Sequence, residues 1–244
     1  MRQEAPGRRQ HWVLLGIVLF AFGLRAFPLA RSEFWFDEAL SAVIAGRGLT
    51  EIVSYTLSTP FEHPPLYYLA LNAWMRVAGT NEFALRFFSL FWGVLLIPLL
   101  YRFVAGWGGP RYGLLAAFVA ALSTVHIEQS QNARMYTLVP FLGVLLLVCF
   151  FQALATRQLR WWAAFFLVTV LGITTHYFFS LLLLVPLVFL VLSGPKYRRL
   201  VTVLLLFQIV CVVWVAAWFA LSPGFREAIQ QVIAGEGGGV SSLE

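Results

Sequence analysis

The 244-residue chain is too apolar to be a soluble domain, since 60% of its residues are hydrophobic and 11% are charged. An ordinary soluble domain has about 25% charged residues. The net charge of +6 comes from basic residues scattered in pairs between apolar runs, which excludes a continuous nucleic-acid-binding patch and agrees with membrane topology. Cys149 and Cys211 lie within apolar runs and form neither a metal-binding motif nor a disulfide framework.

Long apolar runs separated by short polar segments are typical of membrane-spanning helices, because a helix needs about 20 residues to cross about 30 Å of hydrocarbon. The sequence therefore predicts an all-α integral membrane protein with seven transmembrane helices. We interpret the first apolar run as a helix rather than a signal peptide, because no small-residue cleavage site follows it. The predicted spans cover residues 12–24, 84–104, 112–125, 137–155, 161–175, 177–192 and 200–221.

The first and second spans are separated by a large predicted extracytoplasmic loop, residues 31–82, with short juxtamembrane helices over 38–45 and 65–78. The second short helix carries Tyr68, Asn72 and Arg76 at four-residue spacing, and this polar stripe indicates a helix that lies in the interface rather than crossing the membrane.

Under this interpretation the N-terminus is cytoplasmic, and so are the basic loops over 102–111, 157–160 and 196–199. Residues 126–136 then form the second outer loop.

We interpret residues 1–244 as a single transmembrane module. Its tail, residues 222–244, begins with an amphipathic helix over 225–233 and continues into Gly-rich sequence. This ending is typical of the start of a further outer loop, which leads to the hypothesis that the chain is a fragment of a longer protein.

Ionisable and tyrosine side chains from four separate segments fall on the predicted outer side. Grouped ionisable residues in an apolar chain are candidates for chemistry, because burial and neighbouring charges shift their pKa values. The candidates are Asp37, Glu38, Glu62, His63, His126, Glu128, Arg134, Tyr136, His176 and Tyr177.

Each candidate also has a purely structural interpretation, and these alternatives stay open from the sequence. Asp37 and Glu38 suit the first turn of the following helix, where acidic groups complement the helix dipole. Arg134 could extend to lipid headgroups, and His126 with Glu128 could mark a hydrated helix end. The remaining candidates could form a solvated turn or interfacial anchors.

Four short motifs, in this order, resemble those of the GT-C membrane glycosyltransferases. They are the aromatic-flanked acidic pair of 34–38, EHPPLYY at 62–68, NEFALR at 81–86 and SQNARMY at 130–136. Within that group the chain is most similar to the dolichyl-phosphate-mannose-protein mannosyltransferase-like enzymes and the aminoarabinose transferases. The resemblance implies a module of seven helices with a large first outer loop.

The resemblance also implies a function: transfer of a sugar from a polyprenyl-phosphate donor to a hydroxyl of a protein, lipid or glycan acceptor. The transfer would be inverting and would occur at the outer face of the plasma membrane, with Asp37 as general base and with Glu38 and Glu62 as further catalytic carboxylates. Arg134 is the best candidate to hold the phosphate, because a guanidinium offers a fork of donors to phosphate oxygens. The expected substrate-binding residues are His63, Arg86, Arg134, Tyr136, His176 and Tyr177.

Some members of the family bind a divalent metal ion, and the candidate ligands here are Glu62, His126 and Glu128. Two other functions stay open, namely a transporter or flippase for lipid-linked sugars and an inactive truncated paralogue that serves as an interaction subunit. Transporters commonly place ionisable groups near the bilayer midplane on broken helices of paired repeats. The predicted spans are nearly free of charge and no repeat is visible, so we favour the enzyme.

Overall fold

The computed structural model describes residues 7–27, 29, 33–59 and 63–233. Within these ranges the regular elements are all helical, which confirms the predicted all-α class. Two 3₁₀ helices, Tyr177–Leu183 and Pro195–Tyr197, precede α10 and α11. The α-helices are α1 (Arg8–Ala26), α2 (Phe36–Ala45), α3 (Leu49–Ser58), α4 (Leu66–Ala78), α5 (Glu82–Gly108), α6 (Pro110–Leu122), α7 (Thr124–Ser130), α8 (Leu138–Thr156), α9 (Leu159–Thr175), α10 (Leu184–Leu192), α11 (Arg198–Leu221) and α12 (Pro223–Ile233).

Three helical segments in the described part of the chain are long and apolar enough to cross a membrane: α5, α8 and Pro195–Leu221. A fourth candidate is the pair of α6 and α7, which meet at a bend of 62° and together have the length and composition of a span. Two further apolar helical segments, α9 and Tyr177–Leu192, are shorter. These helices agree with an integral membrane protein, while the count of seven spans stays a prediction.

The bend between α6 and α7 differs from the single straight span predicted over 112–125. Ser123 has an extended backbone there, with φ −60° and ψ 113°, and its Oγ accepts the backbone N–H of His126 at 3.4 Å. A serine in this conformation caps a new helix instead of continuing the old one. As a result, the first part of the predicted second outer loop is helical as far as Ser130.

The two short helices predicted between the first two spans are present as α2 and α4, but α3 was not predicted. Its start carries a capping signal that the sequence does show, since the carboxylate of Glu51 accepts the backbone N–H of Gly48 at 3.1 Å. Two residues of the polar stripe of α4, Tyr68 and Asn72, face the protein, while Arg76 is exposed; the interfacial placement of this helix stays a prediction. Asn72 is buried and donates from Nδ2 to the carbonyl oxygens of Ala45 (2.7 Å) and Arg47 (3.1 Å), where α2 ends.

Helix α5 lies at the centre of the bundle and packs against α1, α4, α6, α7 and α8. Small residues allow some of these approaches. A Cβ atom on Gly113 of α6 would lie 2.8 Å from the Cβ of Ala105 and from the carbonyl oxygen of Tyr101, both on α5. Close packing of this kind is the usual source of helix association in membranes, where water provides no hydrophobic driving force between helices.

Candidate active site

Arg134 lies in the turn between α7 and α8 and is only 5% exposed. Its Nη1 donates to the hydroxyl of Ser41 at 3.2 Å and to the backbone carbonyl oxygen of Asp37 at 3.3 Å. Its Nε is buried and has no hydrogen-bond partner among the described residues. A buried charged donor without an acceptor costs free energy unless a ligand supplies one. The arrangement therefore suits an anionic ligand.

Asp37 lies in the first turn of α2 and is half-buried. Its backbone carbonyl oxygen accepts the hydroxyl of Ser41 at 2.9 Å as well as the guanidinium of Arg134. In the described part of the chain its carboxylate accepts no hydrogen bond. The main chain of Asp37 thus makes the structural contacts, and the carboxylate takes part in none of them.

The guanidinium of Arg134 stays charged in this setting. Burial lowers the pKa of Arg134, but the neighbouring Tyr68, Tyr136 and Asp37 outweigh that effect and raise it. The guanidinium carbon also lies 5.8 Å from the centre of the Tyr136 ring, within the range of a cation–π contact. A charged guanidinium therefore contacts the main chain of Asp37, and the charge of Asp37 helps to raise the pKa of Arg134.

His63 and His176 form the next part of the site. Their ring centres are 4.9 Å apart, and the Tyr136 ring lies edge-on to His63 at 6.5 Å. Burial lowers the pKa of His63 to about 3, with further contributions from Arg134 and His176. Burial and Arg134 also lower the pKa of His176. Both imidazoles are therefore neutral at physiological pH and can offer hydrogen bonds without adding charge.

Glu38 and Arg86 form a buried ion pair, with side chains 1% and 4% exposed. The pair is bidentate, because Arg86 donates from Nε to Oε1 at 2.9 Å and from Nη2 to Oε2 at 2.8 Å. Arg86 also donates to the carbonyl oxygens of Leu29 and Glu33 at 3.1 and 3.0 Å. The sequence predicted a catalytic role for Glu38 and a substrate contact for Arg86, whereas the structure pairs the two with each other.

Glu38, one partner of this ion pair, connects the segment that carries Asp37 to the segment that carries Arg134. Oε1 of Glu38 also accepts the backbone N–H of Ala133 at 2.8 Å. Glu38 follows Asp37 directly in the chain, and Ala133 precedes Arg134. The carboxylate of Glu38 therefore fixes the position of the Asp37 segment relative to the Arg134 turn, through contacts that are buried away from water.

A family model described as dolichyl-phosphate-mannose-protein mannosyltransferase matches residues 62–220. This match covers more than half of the chain. The chain belongs to the dolichyl-phosphate-mannose-protein mannosyltransferase family. Searches of curated proteins and of solved structures gave no significant match.

The family assignment indicates a membrane glycosyltransferase that uses a polyprenyl-phosphate sugar donor, and it confirms the resemblance seen in the sequence. The closer likeness to aminoarabinose transferases stays a prediction. In this mannosyltransferase-family chain the matched range contains Arg86, Arg134 and His176, while Asp37 and Glu38 precede it.

Other predicted site residues of the mannosyltransferase-family chain lie elsewhere or are not described. The ring of Tyr177 packs on Phe219 of α11, with ring centres 5.0 Å apart. Glu62, predicted to act in catalysis and metal binding, lies outside the described residues. Its neighbour His63 is described and belongs to the cluster around Arg134.

The proposed metal ligands fit an ion poorly where they are described. His126 Nδ1 faces the guanidinium of Arg25, with Nη2 at 3.0 Å, and a neighbouring cation disfavours metal binding. Glu128 is exposed. Among the described residues no three His, Cys, Asp or Glu side chains lie together as a metal-binding group, and the hypothesis that includes Glu62 stays untested.

The sequence analysis did not predict the polar residues that hold the main chain of the Arg134 turn against α5. The hydroxyl of Ser89 on α5 donates to the carbonyl oxygen of Arg134 at 2.9 Å. Thr137 Oγ1 in turn donates to the carbonyl oxygen of Ser89 at 2.7 Å. Buried hydroxyl groups inside an apolar run, such as Ser89, are a signal that the sequence does contain. Ser41 and Arg25 were also not predicted as site residues.

Proposed function

We propose that this chain transfers a sugar from a polyprenyl-phosphate donor to a hydroxyl of a protein, lipid or glycan acceptor, with inversion at the anomeric carbon. The observation that carries the proposal is the contact of the buried Arg134 guanidinium with the main chain of Asp37. The buried guanidinium has an Nε without an acceptor in the described residues, and the neighbouring carboxylate accepts no hydrogen bond there. The guanidinium of Arg134 can bind a phosphate, and the carboxylate of Asp37 can accept a proton.

In the proposed reaction the Asp37 carboxylate takes the proton of the acceptor hydroxyl as that oxygen attacks the anomeric carbon. The bond from the anomeric carbon to the phosphate oxygen breaks, and polyprenyl phosphate leaves with the electron pair. Arg134 stabilises the charge that develops on the leaving phosphate, because its buried guanidinium offers a donor, Nε, that has no acceptor among the described residues. Neutral His63 and His176, with Tyr136, line the same site and offer hydrogen bonds to the sugar or phosphate.

Glu38 and Arg86 serve this site indirectly in our proposal. The guanidinium of Arg86 and the carboxylate of Glu38 bind each other through two hydrogen bonds, and Glu38 also accepts the backbone N–H of Ala133, next to Arg134. We therefore assign them to positioning Asp37 and Arg134 rather than to contacting the substrate. Glu62 stays a further candidate for a catalytic carboxylate.

The proposed site lies at the outer face of the plasma membrane, with seven spans and a cytoplasmic N-terminus. Two sets of contacts support this topology. Arg134 of the second predicted outer loop contacts Asp37 of the first, and the ring of His63 in the first loop packs on His176 at the end of α9. Segments that contact one another in this way lie on the same side of the membrane, and the basic loops then fall on the other side.

The test of the function is sugar transfer by the purified chain reconstituted in lipid vesicles. We expect turnover with at least one polyprenyl-phosphate sugar from a panel, measured as labelled sugar transferred to acceptor. A parallel arm with EDTA tests the metal hypothesis. Movement of the lipid-linked sugar across the vesicle membrane without transfer would instead identify a flippase.

Replacement of Arg134 by alanine is expected to raise the donor KM by roughly 10- to 100-fold, the value of one or two charge-assisted hydrogen bonds. The acceptor KM should stay nearly constant, because the guanidinium holds the phosphate. Arg76→Ala is the matched control, since Arg76 is exposed on the nearby helix α4. An unchanged donor KM in Arg134→Ala would remove Arg134 from the phosphate role.

A further inference from the structure

Arg25, near the end of α1, is completely buried. No carboxylate in the described ranges forms an ion pair with it. A buried charge without a counter-charge is costly unless many hydrogen bonds compensate it. The guanidinium therefore needs an explanation beyond the reaction described above.

All of its hydrogen bonds go to α1, α6 and α7. Nη1 donates to the carbonyl oxygens of Ala21 and Ala121, and Nη2 to the carbonyl oxygen of Ala120, each at 3.1 Å. Nη2 also lies 3.0 Å from His126 Nδ1. The carbonyls of Ala120 and Ala121 belong to the last turn of α6, which loses its helical partners where the chain bends. Arg25 thus satisfies the carbonyls that the bend leaves free.

The same guanidinium also holds the far side of the bend. Arg25 Nε donates to the hydroxyl of Ser130 at 3.3 Å, and that hydroxyl donates to the carbonyl oxygen of His126 at 2.6 Å. Ser130 is the last residue of α7 and lies against Gly93 of α5, where an added Cβ would clash with the Ser130 hydroxyl. The chain then leads directly to Arg134.

The other side of the Arg134 turn is held independently of Arg25. Ser89 bonds the carbonyl oxygen of Arg134, and Glu38 bonds the N–H of Ala133. Loss of Arg25 would therefore leave the turn attached to α5 and α2 while releasing the end of α7. Loss of Arg25 would also leave no buried charge without its counter-charge, because the partners of Arg25 are neutral.

We propose that Arg25 is a positioning residue that sets the placement of Arg134 by holding the α6–α7 bend. The proposal rests on the phosphate-binding role proposed for Arg134. Arg25 touches neither donor nor acceptor in this scheme, and its effect reaches the phosphate only through the α6–α7 bend and the turn that follows α7.

The test measures equilibrium binding of labelled polyprenyl phosphate, without a sugar, to the full chain in lipid nanodiscs. Arg25→Gln should weaken binding by roughly tenfold, because small displacements of a positioning group carry large costs. Arg25→Lys should lie between the wild type and Arg25→Gln, since lysine keeps the charge but not the fork. Ser130→Ala, which removes a single contact, should weaken binding less than Arg25→Gln. Arg111→Gln on the exposed start of α6 should bind like the wild type.

A double-mutant cycle separates positioning from general destabilisation. In the Arg134→Ala background, Arg25→Gln should cause no further loss of binding, because nothing remains for it to position. A further loss of similar size, or wild-type binding by Arg25→Gln alone, would overturn the inference and leave the function standing. Wild-type binding by Arg134→Ala would instead remove the phosphate role of Arg134 and, with it, the positioning role of Arg25.

Discussion

Asp37→Asn is expected to lower the rate of sugar transfer by about 10²- to 10⁴-fold, the usual contribution of a general base. The variant should fold normally, because the structural contacts of Asp37 use its backbone carbonyl oxygen, which asparagine keeps. Transfer would be measured with reconstituted protein at saturating donor and acceptor. Donor binding should survive, since Arg134 is unchanged.

Glu33→Gln is the matched control for this variant. Glu33 is an exposed acidic residue four positions earlier in the same segment, and its contact with Arg86 uses the carbonyl oxygen. Its rate should equal that of the wild type. If Asp37→Asn kept full turnover, Asp37 would not be the base, and Glu62 would be the next carboxylate to replace.

Glu38→Gln is expected to destabilise the protein by about 3–5 kcal/mol, the typical cost of removing one partner of a buried ion pair. Glutamine keeps the size of the side chain and an acceptor for the N–H of Ala133, but it removes the carboxylate charge that pairs with the buried guanidinium of Arg86. The free energy of unfolding can be followed by titration with SDS. Transfer should fall in parallel, because Glu38 lies between the segments that carry Asp37 and Arg134.

Glu82→Gln provides the comparison for that variant, because Glu82 is exposed at the start of the helix that carries Arg86. A surface substitution of this kind changes stability by no more than about 0.5 kcal/mol. Equal stability of Glu38→Gln and the wild type would contradict the structural role of the ion pair. A stable but inactive Glu38→Gln would return Glu38 to the list of catalytic candidates.

Some of the site could be predicted from the sequence because the outer segments carry recognisable motifs. Asp37, Arg134, His63 and His176 were selected as candidates, and the structure brings them together. Glu38 and Arg86 were selected too, but not as partners. They lie 48 residues apart in the chain, and motif spacing does not show which acidic group will meet which basic group.

Arg25 and His126 illustrate the same limit. The sequence places each at the end of a predicted span, where a headgroup contact or a metal site is a reasonable interpretation. Their contact depends on the bend after Leu122, which is a local choice between continuing a helix and capping a new one at Ser123. The length and hydrophobicity of an apolar run do not predict whether the helix continues or bends at Ser123.

Composition and the length of apolar runs were enough to determine that this protein is helical and built for a membrane, because backbone groups in hydrocarbon must bond within their own segment. The order of the outer motifs was enough to indicate the family. Tertiary structure alone decided which buried polar groups are paired and which have no hydrogen-bond partner among the described residues. That decision depends on contacts between distant segments, where a charge finds its partner only after the helices have packed.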